Sequence, residues 1–181
     1  ARYNSLPSFV AGGEGDSKIS DAQLGHEKTL SGLLTALAGA NIIYGLGMLE
    51  MGVTFDYGQL VMDNEFAQMI NYCVNGIPVN DETLSVDAIK EVGSFKDFVS
   101  RKETFEHMRS ISHPKLIDRK VRDKWKAQGS KDIYQRSMEE AIKIIDTHTP
   151  YPLSDDVKAE LREIVKETER HFGLDHTTPD F

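Results

Sequence analysis

Glu14, Asp16, Lys18 and Asp21 share one short glycine-rich loop, Gly12-Gly-Glu-Gly-Asp-Ser-Lys18 and the residues after it. An apolar run over residues 6–11 leads into this loop, and an amphipathic stretch leaves it. Carboxylates and an ammonium gathered before a helix N-terminus can hold a charged substrate or a polar group of a cofactor, or move a proton. The same side chains would also serve as a solvated loop whose Asp and Ser residues cap a helix. A second apolar run, residues 40–46, ends in the same way, in Gly45-Leu-Gly-Met-Leu-Glu-Met-Gly52. Glu50 therefore stands where an α/β enzyme places a functional carboxylate, at the C-terminal end of a strand. Tyr44 lies inside that second run, where it either points into a site or packs, and Asp56 beyond it reads as a helix cap.

His26 sits four residues before Leu30, on one stripe of the helix that follows the first loop. A histidine near the strand ends could ligate a metal or shuttle a proton; on an apolar face it could equally be a satisfied core residue. The other histidines, 107, 113, 148, 171 and 176, have no ligand spacing such as H-E-x-x-H, and they read as structural or surface residues. Cys73 is the only cysteine, which excludes an internal disulfide and a Cys-rich metal site. It lies on the apolar stripe of a helix and is expected in the core. Trp125, set among Arg122, Lys124 and Lys126, reads as an amphipathic anchor. No P-loop, G-x-G-x-x-G or G-x-S-x-G is present. No metal site is expected within the chain.

The elements that must position these residues alternate at first. A strand is expected over residues 8–11 and a second over 41–46, the latter nearly continuous in apolar residues as in a strand buried on both faces. Between them, Ser20 and Gln23 read as a capping box, with Leu30, Leu33, Leu34 and Leu37 facing inward and Gly39 as the stop. Asp56 and Gln59 open a second helix running to Gly76 with Met62, Phe66, Met69, Ile70 and Cys73 inward. Strand, helix, strand, helix predicts parallel pairing. Beyond Gly76 strands become scarce. Residues 77–79 could be extended, and a hydrophobic staple around Ser85 opens a short helix to Val92. Ser100 and Glu103 read as a capping box. Residues 118–128 read helical up to Gly129. Ser130 caps a long helix with Tyr134, Met138, Ala141, Ile142 and Ile145 inward, and Ser154 caps a last one with Val157, Leu161, Ile164 and Val165 on one side. Residues 174–181 read as a loose tail.

With 181 residues the chain fits one domain, perhaps with an appendage, and is short of the roughly 250 residues of a closed (β/α)8 barrel. It begins at Ala1 without a Met, which suggests a piece of something longer. A net charge of −8 and no dense basic cluster argue against nucleic acid. No secretory signal stands out, and the longest apolar stretch, residues 30–49, is broken by Gly, Asn and Thr and falls short of a membrane span. A cytoplasmic protein without a membrane segment is expected.

Several stretches together resemble the trimethylamine methyltransferase family, in its C-terminal portion. They are Asp16-Ser-Lys-x-x-Asp-x-Gln23 leading into a small-residue-rich helix; Asn41-Ile-Ile-Tyr-Gly-Leu-Gly-Met-Leu-Glu50; Pro114-Lys-Leu-Ile-Asp-Arg119 followed by Trp125 and Gly129; and Asp132-Ile-Tyr-Gln-Arg-Ser137. The resemblance covers nearly the whole chain. It implies a (β/α)8 TIM barrel that moves a methyl group from a tertiary or quaternary amine to the cobalt of a partner corrinoid protein, in methylotrophic, acetogenic or methanogenic metabolism. The cofactor implied is thus a corrinoid (cobalamin) carried by that partner, with no metal bound by this chain. The founding branch uses a genetically encoded pyrrolysine. None occurs here, and Lys18 is the only lysine in the first loop, which resembles the branch without pyrrolysine and sets glycine betaine ahead of trimethylamine as the methyl donor.

On this reading the chain is α/β: two to three βα units of a TIM barrel over residues 1–93, then a helical C-terminal extension over 94–181. Position at strand ends, rather than any motif, assigns His26 and Glu50 as catalytic and Asp16, Lys18, Asp21, Gln23 and Tyr44 as substrate-binding. Aromatic faces and carboxylates are what hold a quaternary ammonium. A partial barrel has open sheet edges, so the isolated piece is expected to lack activity or to self-associate as a homo-oligomer. A non-catalytic helical module for oligomerisation or docking, centred on residues 94–173, is the rival reading. A Schiff-base aldolase using Lys18 fits less well, because Lys18 lies in a loop rather than in a strand.

Overall fold

The computed structural model describes residues 1–174, which fall into two compact units, residues 1–146 and residues from 147 onward. His176 and the remainder of the expected tail lie outside the described residues. The first unit opens with the alternation that the apolar runs call for. Strand β1 (Phe9–Ala11) passes into helix α1 (Ala22–Leu37), then strand β2 (Ile42–Tyr44) and, after a short hairpin, helix α2 (Tyr57–Val74). β1 and β2 pair in parallel with Val10 opposite Ile43. Both strands are shorter than their apolar runs. Gly12 and Gly13 both donate to the Tyr44 carbonyl and close the ladder at one level. Gly45 at φ 114° and Gly47 at φ 78° then turn the chain away from the sheet, in a region where a side chain is strained. Met48–Leu49 and Thr54–Phe55 form a small antiparallel pair, β3 and β4, that alternation alone does not predict. Residues 77–79 are not a strand.

Helix starts follow local chemistry, one residue removed from expectation at α1 and two at the long helix after residue 130. Asp21, not Ser20, caps α1 by accepting from the Leu24 amide at 2.9 Å. Asp56 caps α2 through the Gln59 amide, as its position implied. Asn80 and Thr83 form a reciprocal capping box on α3 (Asp81–Leu84), ahead of α4 (Val86–Val92). The Ser100/Glu103 box does not form. Glu103 instead pairs with Arg101 at 2.8 Å at the head of α5 (Lys102–His107), and that guanidinium holds its carboxyl below the ordinary range. After α6 (Arg122–Ala127), helix α7 (Ile133–Thr147) is capped by Asp132 and Gln135, each accepting the other's amide, rather than by Ser130. A carboxylate reaches an amide three residues on more readily than a serine that sits two residues too early in a left-handed turn.

The buried apolar side chains of this unit are Leu24, Leu49, Met62, Ala88, Val92 and Ala141. The stripe expected of α1 is inverted: Leu24, Lys28 and Gly32 are buried, while Leu30, Leu34 and Leu37 are about half exposed. Cys73, Ile142 and Ile145 are exposed as well. Gly32 packs its Cα against the Gly12 carbonyl, where a Cβ would come within 2.9 Å of that oxygen, so close approach rather than leucine bulk selects the inner face. On α2, the buried Glu65 takes three successive amides, from Lys115, Leu116 and Ile117, at 2.7–2.9 Å. Arg136 of α7 donates to the Leu116 carbonyl at 2.7 Å and also to that of Lys131, so the 115–117 segment is held from both sides.

In the second unit, α8 (Asp155–Phe172) ends at Gly173 in the left-handed conformation, with the Leu174 amide bonding back to Glu169. Lys158 pairs with Asp155, and Lys166 with Glu163, at three-residue spacing. Val157, Leu161, Ile164 and Val165 line one side and are exposed.

Replacing Glu65 by Ala would strand three amides in a buried setting. A loss of about 3 kcal/mol is expected, read as a lower urea midpoint at unchanged slope, with Glu65→Gln falling between the two.

Candidate active site at the strand ends

Lys28 and Asp63 make the centre of this region. Lys28 lies one turn after Leu24 on the inner face of α1 and is 3% exposed; Asp63 lies one turn after Gln59 on α2 and is 1% exposed. The ammonium donates to Asp63 Oδ2 at 2.7 Å, to the Gly13 carbonyl at 2.7 Å and to the Gly45 carbonyl at 3.1 Å. All three of its protons are thereby used. Those carbonyls sit just past the ends of β1 and β2, so one cation fastens both strand exits. Asp63 accepts in addition from the Gly47 amide at 2.8 Å and from Gln59 Nε2 at 2.6 Å. Gln59 in turn accepts from the Ser20 hydroxyl at 2.6 Å. Burial pushes the Asp63 carboxyl up, against the opposing pull of Lys28, Gly47 and Gln59. With every polar atom partnered, the pair positions backbone.

The first loop is held from beneath by Glu27. Its carboxylate accepts from the Asp16 amide at 2.7 Å, the Ser17 amide at 3.4 Å and Gln23 Nε2 at 2.8 Å. Gln23 first, and then the two amides, hold Glu27 below the ordinary carboxylate range. The second loop is stitched to the first through backbone: the Glu50 amide donates to the Ser17 carbonyl at 3.0 Å, and Met51 to Gly15 at 3.1 Å. To do so Glu50 and Met51 take left-handed φ of 53° and 56°, two consecutive strained residues beside the strand ends. Glu14 fills the space between the loops. A Cβ on Gly45 would lie 2.5 Å from Glu14 Cγ, and one on Gly52 would lie 3.9 Å from Glu14 Oε2. No hydrogen bond or ion pair engages the Glu14 carboxylate among the described residues.

The residues expected to do chemistry divide into two groups. Glu50 is half-buried and takes the Thr54 hydroxyl at 3.1 Å. Asp16 and Lys18 are exposed on the loop stitched to it, with Lys18 Nζ on the Asp16 carbonyl at 2.9 Å. Tyr44 ends β2 and stacks on Phe9 at 4.6 Å. These, with Glu14, gather at the strand exits. Asp21 and Gln23 instead serve the start of α1, Asp21 as a cap whose carboxyl the Leu24 amide lowers and Gln23 as the partner of Glu27. His26 is exposed on α1 and has no partner among the described residues. Asp56 accepts from the Tyr134 hydroxyl at 2.8 Å besides capping α2. Lys28, Asp63, Glu27 and Gln59 were not anticipated. Their signal was available: Leu24, Lys28 and Gly32, and likewise Gln59 and Asp63, share the inner face of a helix at spacing four.

Among the described residues, no three His, Cys, Asp or Glu side chains are placed to hold a metal ion, and no helix is long and apolar enough to cross a membrane. The chain is mixed α/β with few strands, and its loop carboxylates stand where two parallel strands hand over to helices, the place where α/β folds build sites. The trimethylamine methyltransferase family model matches residues 1–173, and the chain belongs to that family. It is 58% identical to a trimethylamine methyltransferase of Desulfitobacterium hafniense (strain DSM 10664 / DCB-2) over 96% of this chain and 35% of that protein. A trimethylamine methyltransferase of Methanosarcina mazei is 42% identical over 95% of this chain and 35% of its own length. The glycine betaine methyltransferase of Desulfitobacterium hafniense (strain Y51) is 29% identical over 96% of this chain and 36% of its own length. The chain thus spans about a third of the length of the curated relatives it matches, and the likeness is greater to those named for trimethylamine.

Two outcomes follow from the site's construction. Lys28→Met would leave Asp63 buried without its cation, at an expected cost of about 3–5 kcal/mol in urea unfolding, whereas Lys18→Met, in the exposed loop, should change stability by less than about 0.5 kcal/mol. Glu27, held below its ordinary range, contributes stability above that range and loses it as pH falls through its lowered value. The destabilisation caused by Glu27→Gln should be full at neutral pH and shrink as pH falls below the ordinary glutamate range, in thermal melts.

Proposed function

We propose that this chain is the C-terminal part of a methyltransferase that moves a methyl group from a small methylated amine to the corrinoid of a partner protein. The observation that carries the reading is the family match over residues 1–173. The βαβα order, the parallel pairing and the carboxylates at the strand exits are consistent with the closing units of a TIM barrel. The exposed faces of α1 and of the two-stranded sheet support it too, because Leu30, Leu34, Leu37, Phe9 and Ile42 would be covered by neighbouring units of a longer chain. With a third of the relatives' length, the barrel mouth is incomplete, so the 181-residue chain alone is expected to be inactive.

In this reading Glu14 and Glu50 supply negative potential for a methylated ammonium, and Tyr44 an aromatic face. Asp16 and Lys18 would border the mouth on the loop that Glu27 props, Asp21 and Gln23 would act through that loop, and the exposed His26 is assigned a polar contact toward the corrinoid. The reduced corrinoid supplies the nucleophile that accepts the methyl group. This chain's residues would bind the donor, orient one methyl outward and exclude water. The donor assigned first is trimethylamine, with glycine betaine second, following the 58% and 29% identities.

The test joins this chain to the N-terminal two thirds of its 58%-identical relative and follows loss of cob(I)alamin absorbance with each amine. Turnover is expected with the joined protein and none with the 181-residue chain. Glu14→Gln and Glu50→Gln should each lower kcat/KM by about tenfold or more. Equal turnover by both variants would remove the carboxylates from the site, and turnover by the short chain would refute its incompleteness.

A further inference from the structure

Charge is segregated along this chain. Between residues 115 and 136 there are eight Lys and Arg side chains against three carboxylates, in a protein of net charge −8. Elsewhere in the structure most cations lie against carboxylates, as in Lys28–Asp63, Lys90–Asp87, Lys102–Glu106 and Arg101 with Glu91 and Glu103. In the 115–136 stretch, among the described residues, only Lys131 does so, with Glu139 at 2.5 Å. Among the described residues the Lys115, Arg122, Lys124 and Lys126 side chains have no partner, Arg119 donates to the Ser112 carbonyl, and Lys120 donates to Gln128. A cleft of about 440 Å³ opens here, lined by Lys115, Arg119, Lys120, Lys131 and Arg136, with Asp118 and Glu139 the only carboxylates on its wall.

The cleft is built rather than incidental. Glu65 fixes the Lys115, Leu116 and Ile117 amides, Arg136 spans the Leu116 and Lys131 carbonyls, and the Trp125 indole N–H donates to Lys131 at 2.9 Å. Apart from Lys131, the held cations of the cleft have no ion-pair partner among the described residues; their self-repulsion is a cost that an acidic partner would relieve.

We infer that this cleft is a docking surface for an acidic face of another protein. A nucleic acid fits less well: Asp118, Asp123, Asp132 and Glu139 punctuate the basic surface and would meet a continuous phosphate backbone. A lipid surface fits less well too, because the one large aromatic group here, Trp125, is half-buried and has its indole N–H engaged within the fold. The inference is independent of the methyl-transfer reading and stands or falls without it.

The probe is a fluorescein-labelled oligoglutamate of about ten residues, titrated with the whole 181-residue chain and followed by anisotropy. Binding is expected at low salt, weakening by about tenfold or more between about 50 and 300 mM salt. The triple variant Lys115→Glu, Arg119→Glu, Lys120→Glu should abolish it, with circular dichroism confirming the fold. Lys115→Glu, whose side chain lines the cleft and has no partner to lose among the described residues, should weaken it severalfold and keeps the inference testable if the triple variant fails to fold. Unaltered binding by folded charge-reversed variants would overturn the inference. So would a Lys115→Glu-sensitive preference for a mixed oligonucleotide of matched charge, or for phosphatidylglycerol vesicles, over oligoglutamate.

Discussion

One buried ion pair sets the geometry on which the rest of the first unit depends. Two strands of three residues each contribute little sheet pairing, and a two-stranded sheet is marginal by itself. Lys28 supplies what the ladder lacks, since a single ammonium binds the chain just after β1, the chain just after β2 and the carboxylate of α2. A hydrophobic residue at either position would fill the space, yet it would leave the Gly13 and Gly45 carbonyls and the Gly47 amide without these partners. The pair therefore earns its place less through net stability, which buried pairs often fail to provide, than by fixing where the two loops leave the sheet.

From that fixed start, the loops reach each other by backbone rather than by side chains. Ser17 and Gly15 receive the amides of Glu50 and Met51, and the geometry forces both donors into the left-handed region. Gly45 is required for a different reason: any side chain there would overlap Glu14. Strain and close approach thus meet at the same place as two carboxylates, one of them without a partner. Such a region tolerates little substitution for reasons of fold alone, and it leaves its acidic groups available to something outside the chain.

The sequence made much of this legible, and its failures have physical causes. The βαβα order, the parallel pairing and the cap at Asp56 follow from apolar runs, glycines and side-chain chemistry that act within a few residues. Glu50 and Glu14 were visible for the same reason, standing just past apolar runs. What stayed hidden depends on contacts between distant residues. The leucines of α1 gave the strongest helical stripe, yet the inner face belongs to Leu24, Lys28 and Gly32, because at Gly32 the Gly12 carbonyl approaches too closely to admit a side chain. A lysine and an aspartate on two separate helices look like surface charges until the chain is folded. Glu65 is hidden likewise: its three donors lie about fifty residues away.

The exposed groups fall into two kinds, and physical chemistry treats them differently. Leu30, Leu34, Leu37, Phe9 and Ile42 are apolar, exposed and lie on the first helix and the sheet, so what covers them would do so by apolar burial. Burial of this kind is broad and largely indifferent to salt. The cations of residues 115–136 sit around a cleft shaped by Glu65, Arg136 and Trp125, and nothing apolar dominates its wall. Contacts made there would be polar, oriented and weakened by ionic strength, as suits a partner that must arrive and leave. The two kinds of surface call for different partners, and in this chain they lie on different elements.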